Sequence, residues 1–461
     1  MRVLLADIKG REGLVAKDTI AGGYGSRFTP FSRVTCVFSH FKKRLEVPSI
    51  QLGYLAAIFA RAGHGVVSTR GALFEADLAL ILSSLVDYRQ EIAWADAARA
   101  RGIRVGFLGL ACSKMPQLFG DHADFLIAGE PEEAAFQLAA GNALSGWHAS
   151  KPVSDLDSLP FPRWDLLAPG RPAWAFGMPR VGRRFPLLAS RGCPEFCTYC
   201  PHRILARYRT RSVANVIEEL AQLCDYFPRP CVVFRDPLFT QHRDRILGIC
   251  DELLARRLRL TFECETRLDG LDVPLLEKMH AAGLRAVNFG VESISSQTLR
   301  KVGRRPVPEA HQRGIIAACH RLGILTGAFY VFGFADDGWE SIAATIDYAI
   351  ALGSTFAQFK ILTPYPGTPL WKQLGPLVFE QDWQKFDGFT PTFRHTSLSP
   401  EKLRFLLGAA YARFYARPSF LANYWRIEGR HLRDLVDRLD RKAFERHTQK
   451  EISLMSRAVT C

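Results

Sequence analysis

The sequence predicts an α/β protein with two parallel sheets, a proline-rich segment between them and a helical extension after them. Strand-like apolar runs alternate with helical patterns in both halves of the 461-residue chain, which is typical of parallel sheets. Seven prolines between residues 151 and 186 interrupt this alternation, and proline at such density disfavours regular structure. Past residue 380 the pattern becomes helical and rich in arginine.

The first half of the chain is expected to form a doubly wound parallel sheet. Its predicted strands are residues 3–8, 65–68, 78–82, 105–108 and 125–128, and its predicted helices include residues 53–62 and 91–101. Sheets of this class bind ligands at the carboxyl ends of their strands. In this chain those ends carry Ser83, Ser84, Gly109 and Gly129.

The second half is expected to form a partial (β/α)6 barrel. Its predicted strands are residues 187–190, 231–235, 258–263, 286–290, 325–332 and 355–362, and its predicted helices are residues 212–224, 244–256, 273–282, 308–322 and 340–352. Active sites of such barrels lie at the carboxyl ends of the strands. This rule selects Asp236, Arg267, Glu292 and Tyr330, of which Tyr330 is the predicted catalytic residue.

The composition indicates a folded protein, with 48% apolar and 23% charged residues. No apolar run approaches the length of a membrane span, and the apolar start of the chain meets Asp7 and Lys9 too soon for a signal peptide. Eleven cysteines fit a reducing compartment, so the predicted location is the cytoplasm. The net charge of +14 comes largely from dispersed arginine, so a nucleic-acid partner is not expected.

Three cysteines lie close together in the middle of the chain. Cys193, Cys197 and Cys200 have the spacing C-x3-C-x2-C, which suits a metal cluster better than a protein core. An iron-sulfur cluster that is fully bound by the protein takes four cysteines, so three leave one iron open to another ligand. The alternatives are a structural zinc site completed by His202, or buried thiols that bind nothing.

Together with Tyr199 directly before the last cysteine, this spacing closely resembles the cluster loop of the radical S-adenosylmethionine (SAM) enzymes. The resemblance implies a [4Fe-4S] cluster on Cys193, Cys197 and Cys200, whose open iron binds SAM beside Tyr199. An electron from the cluster would then split SAM to give a 5′-deoxyadenosyl radical. The same resemblance divides the chain into a cobalamin-binding-like Rossmann domain (residues 1–148), a proline-rich linker (149–185), a radical SAM partial barrel (186–378) and a basic helical extension (379–461).

The N-terminal half resembles the cobalamin-binding domain that precedes the barrel in one large radical SAM subfamily. Ser83, Ser84, Gly109 and Gly129 carry this resemblance and are therefore the predicted cobalamin contacts. Leu110 stands where the subfamily usually has a second glycine, and the chain lacks the D-x-H-x-x-G motif that supplies a histidine ligand to cobalt. A Rossmann-like domain that does not bind cobalamin is therefore the alternative.

The resemblance also assigns roles to residues at the barrel strand ends. Glu292 stands where the family contacts the ribose or amino group of SAM, and Asp236, within FRDPLFT, stands near the amino end of SAM. Arg267 is the expected partner of the SAM carboxylate, because a guanidinium group binds a carboxylate bidentately. The alternative for each residue is a salt bridge at the surface or between domains.

The predicted function is radical methylation, with cobalamin, of an unactivated position in a small-molecule biosynthetic intermediate, with a donor such as flavodoxin or ferredoxin supplying electrons. The first alternative is a non-methylating radical SAM enzyme that cyclises or rearranges its substrate, or transfers the aminocarboxypropyl group of SAM. A tRNA-modifying methylthiotransferase is the second, but its additional cluster needs three N-terminal cysteines, and only Cys36 and Cys112 precede the linker. The third is a protein that holds a cluster without turnover.

Overall fold

The computed structural model describes residues 1–10, 12–17, 23–32, 35–36, 39, 46–167, 183–420 and 422. Within these residues the chain forms two six-stranded parallel sheets and two short antiparallel ribbons. None of the helices in the described ranges is long and apolar enough to cross a membrane. The α/β fold class predicted from the sequence is therefore confirmed.

The first sheet is covered by apolar side chains on both faces. The strands of this half are β1 (Arg2–Ala6), β2 (Leu14–Ala16), β3 (Ser26–Phe28), β4 (Gly65–Thr69), β5 (Leu78–Leu82), β6 (Arg104–Leu108), β7 (Phe125–Ala128) and β8 (Gly146–Ala149). The helices are α1 (Ile50–Arg61), α2 (Tyr88–Arg99), α3 (Leu110–Lys114) and α4 (Glu132–Ala139), with 3-10 turns at Pro116–Leu118, Gly120–His122 and Leu156–Ser158. The sheet order is β4-β1-β5-β6-β7-β8. Alternate residues of β5 join two different apolar cores, which explains why its sequence is apolar throughout.

Two close contacts in this half depend on glycine. A Cβ atom on Gly106 in β6 would lie 2.2 Å from the ring of Phe125 in the neighbouring strand. A Cβ atom on Gly53 in α1 would lie 2.8 Å from the ring of Trp164. The chain after the first sheet therefore packs directly on α1, and Trp164 is buried in the same core as the barrel.

The second sheet has its strands in the order of the chain, as expected for a partial barrel. Its elements are β9 (Arg184–Leu187), β12 (Cys231–Phe234), β13 (Thr261–Thr266), β14 (Leu284–Glu292), β15 (Leu325–Phe332) and β16 (Phe356–Ile361), with β10 (Ser190–Arg191) and β11 (Arg209–Thr210) as a short ribbon. The helices are α5 (His202–Leu205), α6 (Val213–Tyr226), α7 (Arg243–Ala255), α8 (Val273–Ala281), α9 (Ser296–Lys301), α10 (Glu309–Leu322), α11 (Trp339–Leu352), α12 (Pro369–Leu374) and α13 (Pro400–Tyr415). Further 3-10 turns lie at Phe239–Gln241, Leu268–Gly270, Gly375–Leu377 and Trp383–Lys385.

Helix α13 covers β16, the strand at one edge of this sheet. The Tyr411 hydroxyl bonds to both the N–H and the C=O of Phe359, at 3.3 and 3.2 Å. The Tyr415 hydroxyl does the same at Ala357, at 3.2 and 2.7 Å. These bonds satisfy backbone groups that an edge strand would otherwise leave open to another chain. Residues 423–461 of the predicted basic helical extension lie outside the described residues.

Several strands differ from the sequence predictions, and β13 begins at Thr261 rather than at residue 258. Strand β9 begins at Arg184, three residues earlier than predicted, and it contains Pro186. Proline is tolerated there because β9 is an edge strand, which needs fewer backbone donors. The ribbon of β2 and β3 and the edge strand β8 are too short to give a periodic signal.

Candidate active site

The cysteine loop lies between β10 and α5, at the carboxyl end of the first barrel strand. Gly192 begins it with a φ of +74°, and a Cβ atom there would lie 2.5 Å from the carbonyl oxygen of Ala206. The Thr198 amide donates to the carbonyl of Val302 at 2.9 Å. A Cβ atom on Gly303 would lie 2.6 Å from the Phe196 carbonyl oxygen, so the loop can approach this segment only because residue 303 is glycine.

Cys193, Cys197 and Cys200 all line one cavity, which we call the cluster cavity. Burial raises the pKa of Cys193 to about 11 and that of Cys200 to about 12, and burial also raises the pKa of Cys197. The thiols are therefore protonated at neutral pH, and a metal must displace their protons on binding. Within the described ranges, no group of three or more His, Cys, Asp and Glu side chains is arranged to hold a single metal ion.

The cluster cavity is enclosed by the carboxyl ends of the barrel strands. Thr266 from β13, Asn288 and Gly290 from β14 and Phe329 from β15 line it beside the three cysteines. Of the residues selected from the sequence, Tyr199, Arg267 and Glu292 also line this cavity. The structure therefore brings these three side chains together with the cysteines, as the barrel rule leads one to expect.

Glu292 occupies an unusual position at the end of β14. Its φ of +64° lies in the left-handed region, and the strand register shifts between Gly290 and Glu292. The carboxylate lies so close to Gly290 that a Cβ atom there would be 2.1 Å from its Oε1 atom. Left-handed backbone at a residue other than glycine costs free energy and is often retained at functional sites. Burial raises the pKa of Glu292, and the nearby Arg304 opposes this rise.

Arg267 presents a free donor beside the cavity. Its Nε and Nη2 atoms bond to the two carboxylate oxygens of Asp269 at 2.9 and 2.8 Å, and Nη2 also donates to the carbonyl of Arg305. Among the described residues its buried Nη1 atom has no hydrogen-bond acceptor, and the nearest carboxylate, that of Glu195, is 3.9 Å away. A buried donor without an acceptor is costly, so this atom is suited to receive an anionic group of a ligand.

Asp236 contacts the segment that precedes the cysteine loop and does not line the cluster cavity. Its side chain is fully buried and accepts hydrogen bonds from the Ala189 amide at 3.0 Å and from the Ser190 hydroxyl at 2.5 Å. Both carboxylate oxygens therefore hold the segment that leads into the loop. The predicted contact with the amino end of SAM stays a prediction, and the observed geometry is that of a residue that positions the loop.

Tyr330 does not point into the cluster cavity, contrary to its selection as the catalytic residue. Its side chain is fully buried and stacks on Phe359 at a centroid distance of 5.2 Å, on the face of the sheet that packs against α13. Side chains alternate between the two faces of a strand, and the preceding residue, Phe329, lines the cavity. The strand-end rule selected the correct strand, but the adjacent residue faces the site.

Three of the four residues predicted to bind cobalamin lie in one hydrogen-bonded group at the edge of the first sheet. The Ser83 hydroxyl donates to the Leu108 carbonyl at 2.7 Å, next to Gly109. The Ser113 hydroxyl donates to the Gly109 carbonyl at 2.6 Å and accepts from the Gly129 amide at 3.1 Å. Gly109 and Gly129 both have positive φ values, +105° and +94°. This edge therefore presents backbone without side chains, which fits a flat group in close contact.

Ser84, the fourth of these residues, is engaged within the protein. Its hydroxyl bonds to the carboxylate of Glu91 at 2.6 Å, and Lys17 from the segment after β2 bonds to the same carboxylate at 2.6 Å. Glu91 and Ser84 are fully buried, and burial raises the pKa of Glu91 to about 7. The Ser83 and Ser84 hydroxyls thus support the loops at this edge, where Gly109 is buried and Gly129 is exposed.

A second cavity, which we call the inter-sheet cavity, lies between the two sheets. It is lined by Gly129 from the first sheet and by Arg191, His202, Arg235 and Pro237 from the barrel, among others. His202 and Pro237 line the cluster cavity as well, so the two cavities adjoin at these residues. Burial lowers the pKa of His202 to about 4, so its imidazole is neutral at pH 7.

Two charged residues at this site were not selected from the sequence. Arg304 lines the cluster cavity, donates to the Gly290 carbonyl and lies 3.8 Å from the Glu292 carboxylate. Lys360 projects from β16 with its ammonium 5.7 Å from the centre of the Phe389 ring. Lys360 lies within the predicted strand 355–362, but Arg304 follows α9, well beyond the end of β14, where the sequence gives no signal of a site residue.

With the geometry described, comparison with known proteins relates part of the chain to a known family. Residues 187–349 match the model of the radical SAM superfamily, and this range includes all three loop cysteines and β12 to β15. The chain is 30% identical over 279 residues to an uncharacterized methyltransferase of Pyrococcus horikoshii. This alignment covers 58% of this chain and 58% of that relative. The chain therefore spans less than two thirds of the length of that protein.

Two further proteins match over most of this chain. The bacteriochlorophyllide d C-8(2)-methyltransferase of Chlorobaculum tepidum is 25% identical over 401 residues, which covers 83% of this chain and 86% of that protein. The solved structure of TsrM, a radical SAM methyltransferase from Kitasatospora setae with cobalamin and a [4Fe-4S] cluster bound, is similar with a TM-score of 0.61 at 15% identity. It covers 92% of this chain and 88% of that chain, so the likeness extends over both sheets.

Proposed function

Residues 187–349 form a radical SAM domain, and from this premise we propose that the protein is a radical SAM enzyme that methylates a small molecule with the help of cobalamin. The observation that carries the proposal is the cluster cavity. It is lined by the three loop cysteines, by Glu292, whose backbone is left-handed, and by two arginines. The likeness to a named methyltransferase over most of the chain supports methylation.

Cys193, Cys197 and Cys200 would hold the cluster, which supplies an electron for the reductive cleavage of SAM. The other polar groups of the cavity suit the ammonium and carboxylate groups of the amino-acid portion of SAM. The Glu292 carboxylate would accept hydrogen bonds from the ammonium or ribose hydroxyl groups of SAM. The guanidinium group of Arg304 and the free Nη1 donor of Arg267 would bind its carboxylate.

The sheet edge at Gly109 and Gly129 is the proposed place of cobalamin, which supplies a methyl group when bound. The inter-sheet cavity adjoins Gly129 and continues to His202 and Pro237 at the cluster cavity. A substrate at this junction would therefore lie between the two cofactors. The neighbouring side chains Phe289, Phe329 and Leu238 line the cluster cavity and would help to keep water away from the reacting groups.

The surface next to the cysteine loop is the proposed docking site for an acidic electron donor such as flavodoxin or ferredoxin. Phe196, within the loop, is 66% exposed, and the guanidinium group of Arg203 lies 4.8 Å from the centre of its ring. An exposed aromatic ring beside a cation is suited to a partner of opposite charge. Because such a donor and free thiols require reducing conditions, we place the reaction in the cytoplasm.

The function is tested by reconstituting the full chain anaerobically with iron, sulfide and hydroxocobalamin. We expect about four iron atoms and one cobalt atom per chain after desalting, because the cluster has four irons and three protein ligands. SAM that carries a deuterated methyl group is then supplied with reductant and candidate acceptors. Mass spectrometry is expected to detect 5′-deoxyadenosine and an acceptor that has gained the labelled methyl group.

Other outcomes of this experiment separate the alternatives. Iron with 5′-deoxyadenosine but without cobalt would overturn cobalamin-dependent methylation and favour a non-methylating radical enzyme of the same architecture. An acceptor that has gained the mass of the aminocarboxypropyl group, without deuterium, would identify cleavage of a different carbon-sulfur bond. A preparation without iron after reconstitution would contradict the radical SAM assignment of the cysteine loop.

Replacement of Arg304 by glutamine is expected to weaken SAM binding about 30-fold or more. The substitution removes a largely buried cation that we place on the SAM carboxylate, and the loss of such a partner costs at least about 2 kcal/mol. Equilibrium dialysis of labelled SAM against the reconstituted protein measures the effect. Arg300→Gln, an exposed arginine on α9, is the matched control and should bind SAM as the unmodified chain does. Equal affinities in the two variants would exclude Arg304 from the SAM site.

A further inference from the structure

Lys360 is a lysine inside the barrel that the proposed cofactor sites do not use. It lies on β16 between Phe359, which packs outward against Tyr411 of α13, and Ile361. Because side chains alternate along a strand, Lys360 points to the opposite, inner face. A Cβ atom on Gly388 would lie 3.6 Å from its Nζ atom, so the ammonium group reaches the loop that follows the barrel.

The ammonium group of Lys360 has no carboxylate within ion-pair distance among the described residues. The three acidic side chains that attract it by charge are Glu292, Asp387 and Glu265. Glu265 is paired with Arg235 at 2.5 Å, and Glu292 lies 3.8 Å from Arg304. Each of these carboxylates therefore already has a cationic partner of its own.

Asp387, the remaining acid, is satisfied by its own loop. Its carboxylate accepts hydrogen bonds from the amides of Phe389 and Thr390 at 2.7 and 2.8 Å and from the Thr390 hydroxyl at 3.0 Å. Burial raises the pKa of Asp387 to about 6, which reduces its negative charge at mildly acidic pH. Asp387 is therefore held by its own loop and lies outside ion-pair distance of Lys360.

An unpaired lysine in this environment has an energetic cost that a ligand can remove. Lys360 is half-buried, and even partial removal of an ammonium group from water costs free energy unless an anion or hydrogen-bond acceptors replace the water. In agreement with this, burial lowers the pKa of Lys360. The aromatic ring of Phe389, 5.7 Å away, compensates only in part, since a cation–π contact at this distance is weak.

We propose that Lys360 binds an anionic group of the substrate, a carboxylate or a phosphate, and so determines which molecules the barrel accepts. The inference rests on the proposed function, because it places a substrate between the SAM site and the loop at Gly388. Lys360 lies one strand away from Phe329, which lines the cluster cavity, so an anion held there would fix the rest of the molecule near the cluster. Neutral compounds of the same shape would leave the lysine unpaired.

The proposal is tested by trace acetylation of lysines in the full chain, reconstituted with iron and sulfide and saturated with SAM. Mass spectrometry follows the acetylation rates of Lys360 and of Lys402, an exposed lysine on α13, in the same sample. The probes are glutarate, inorganic phosphate and glutaramide, which is neutral, at equal concentration and ionic strength. We expect one of the two anions to slow acetylation of Lys360 about threefold at a concentration twice its dissociation constant, because about two thirds of the sites are then occupied. Lys402 should react at the same rate throughout.

The two anionic probes distinguish the chemical class. Protection by glutarate alone assigns a carboxylate substrate, and protection by phosphate alone assigns a phosphorylated one. Lys360→Met should weaken calorimetric binding of the protecting anion at least about tenfold, whereas Lys360→Arg should retain most of it. Equal reactivity of Lys360 with all probes, or protection by glutaramide, would overturn the proposal. Neither measurement needs turnover, so failure of methylation and failure of anion binding are separate results.

Discussion

Replacement of Cys197 by alanine is expected to abolish cluster assembly and SAM cleavage. Cys197 is the most buried of the three loop cysteines, and its backbone is held in place because Thr198 bonds to Val302. With two thiolates left, a four-iron cluster has two open irons and loses the chelate that holds it on the loop. Iron and acid-labile sulfide after anaerobic desalting should fall to the background level, and 5′-deoxyadenosine should no longer form with SAM and dithionite.

Cys224→Ala is the matched control for this result. Cys224 is half-buried on α6, and it does not line the cluster cavity. It should keep the iron content and the rate of SAM cleavage of the unmodified chain. A Cys197→Ala protein with a full complement of iron would show that another residue, such as His202, ligates the metal. That outcome would restore the zinc-type alternative that the sequence leaves open.

The parts of the fold that were predicted correctly are those with a local physical cause. The run from residue 78 to residue 82 is apolar at every position because alternate side chains enter two cores, and such a run predicts a central parallel strand. Strand 325–332 was predicted with its observed bounds, although Thr326 and Gly327 interrupt its apolar run. Pro186, by contrast, suggested a linker, because the sequence does not reveal that β9 lies at a sheet edge where proline is allowed.

The side chains of the candidate site were predictable only in part. The strand-end rule found Glu292 and Arg267, but a period of two means that an error of one residue selects the wrong face, as Tyr330 and Phe329 illustrate. Asp236 lies at a strand end, yet its oxygens bond to Ala189 and Ser190, two residues of another segment. Such long-range hydrogen bonds leave no periodic or spacing signal in a single sequence.

Arg191 connects the first sheet to the cysteine loop, which begins two residues later. Its Nη1 atom bonds to Glu130 at 2.8 Å and its Nη2 atom to Glu132 at 2.6 Å. The guanidinium group also lies 4.8 Å from the centre of the Tyr54 ring on α1. Because both acids belong to the first sheet and its following helix, Arg191 and Arg209, which also pairs with Glu130, hold the edge at Gly129 to the segments that flank the cysteine loop. The distance between the two proposed cofactor sites therefore depends in part on Arg191.

Arg191→Met is expected to destabilise the protein by about 3–5 kcal/mol, which is the usual cost of removing one partner from a buried ion pair. The variant leaves Glu132 fully buried with no cation, since Glu130 retains Arg209 but Glu132 has Arg191 as its only ion-pair partner among the described residues. Urea denaturation measures the loss, and hydrogen exchange should rise in the segments around residues 130 and 190. Arg163→Met, which breaks an exposed pair with Asp165, should cost about 1 kcal/mol or less.

The double variant Arg191→Met/Glu132→Gln distinguishes the ion pair from simple packing. If the penalty comes from the unpaired Glu132 carboxylate, neutralising it should recover at least about half of the lost stability. If the double variant is no more stable than Arg191→Met, the stabilisation comes from the contact with Tyr54 and from the volume of the arginine side chain. If stability is recovered, the Arg191–Glu132 ion pair holds the cysteine loop to the first sheet. Loss of this pair should then disturb the relative positions of the two proposed cofactor sites. Transfer of the labelled methyl group should then fall more than the formation of 5′-deoxyadenosine, because cleavage of SAM needs only the barrel.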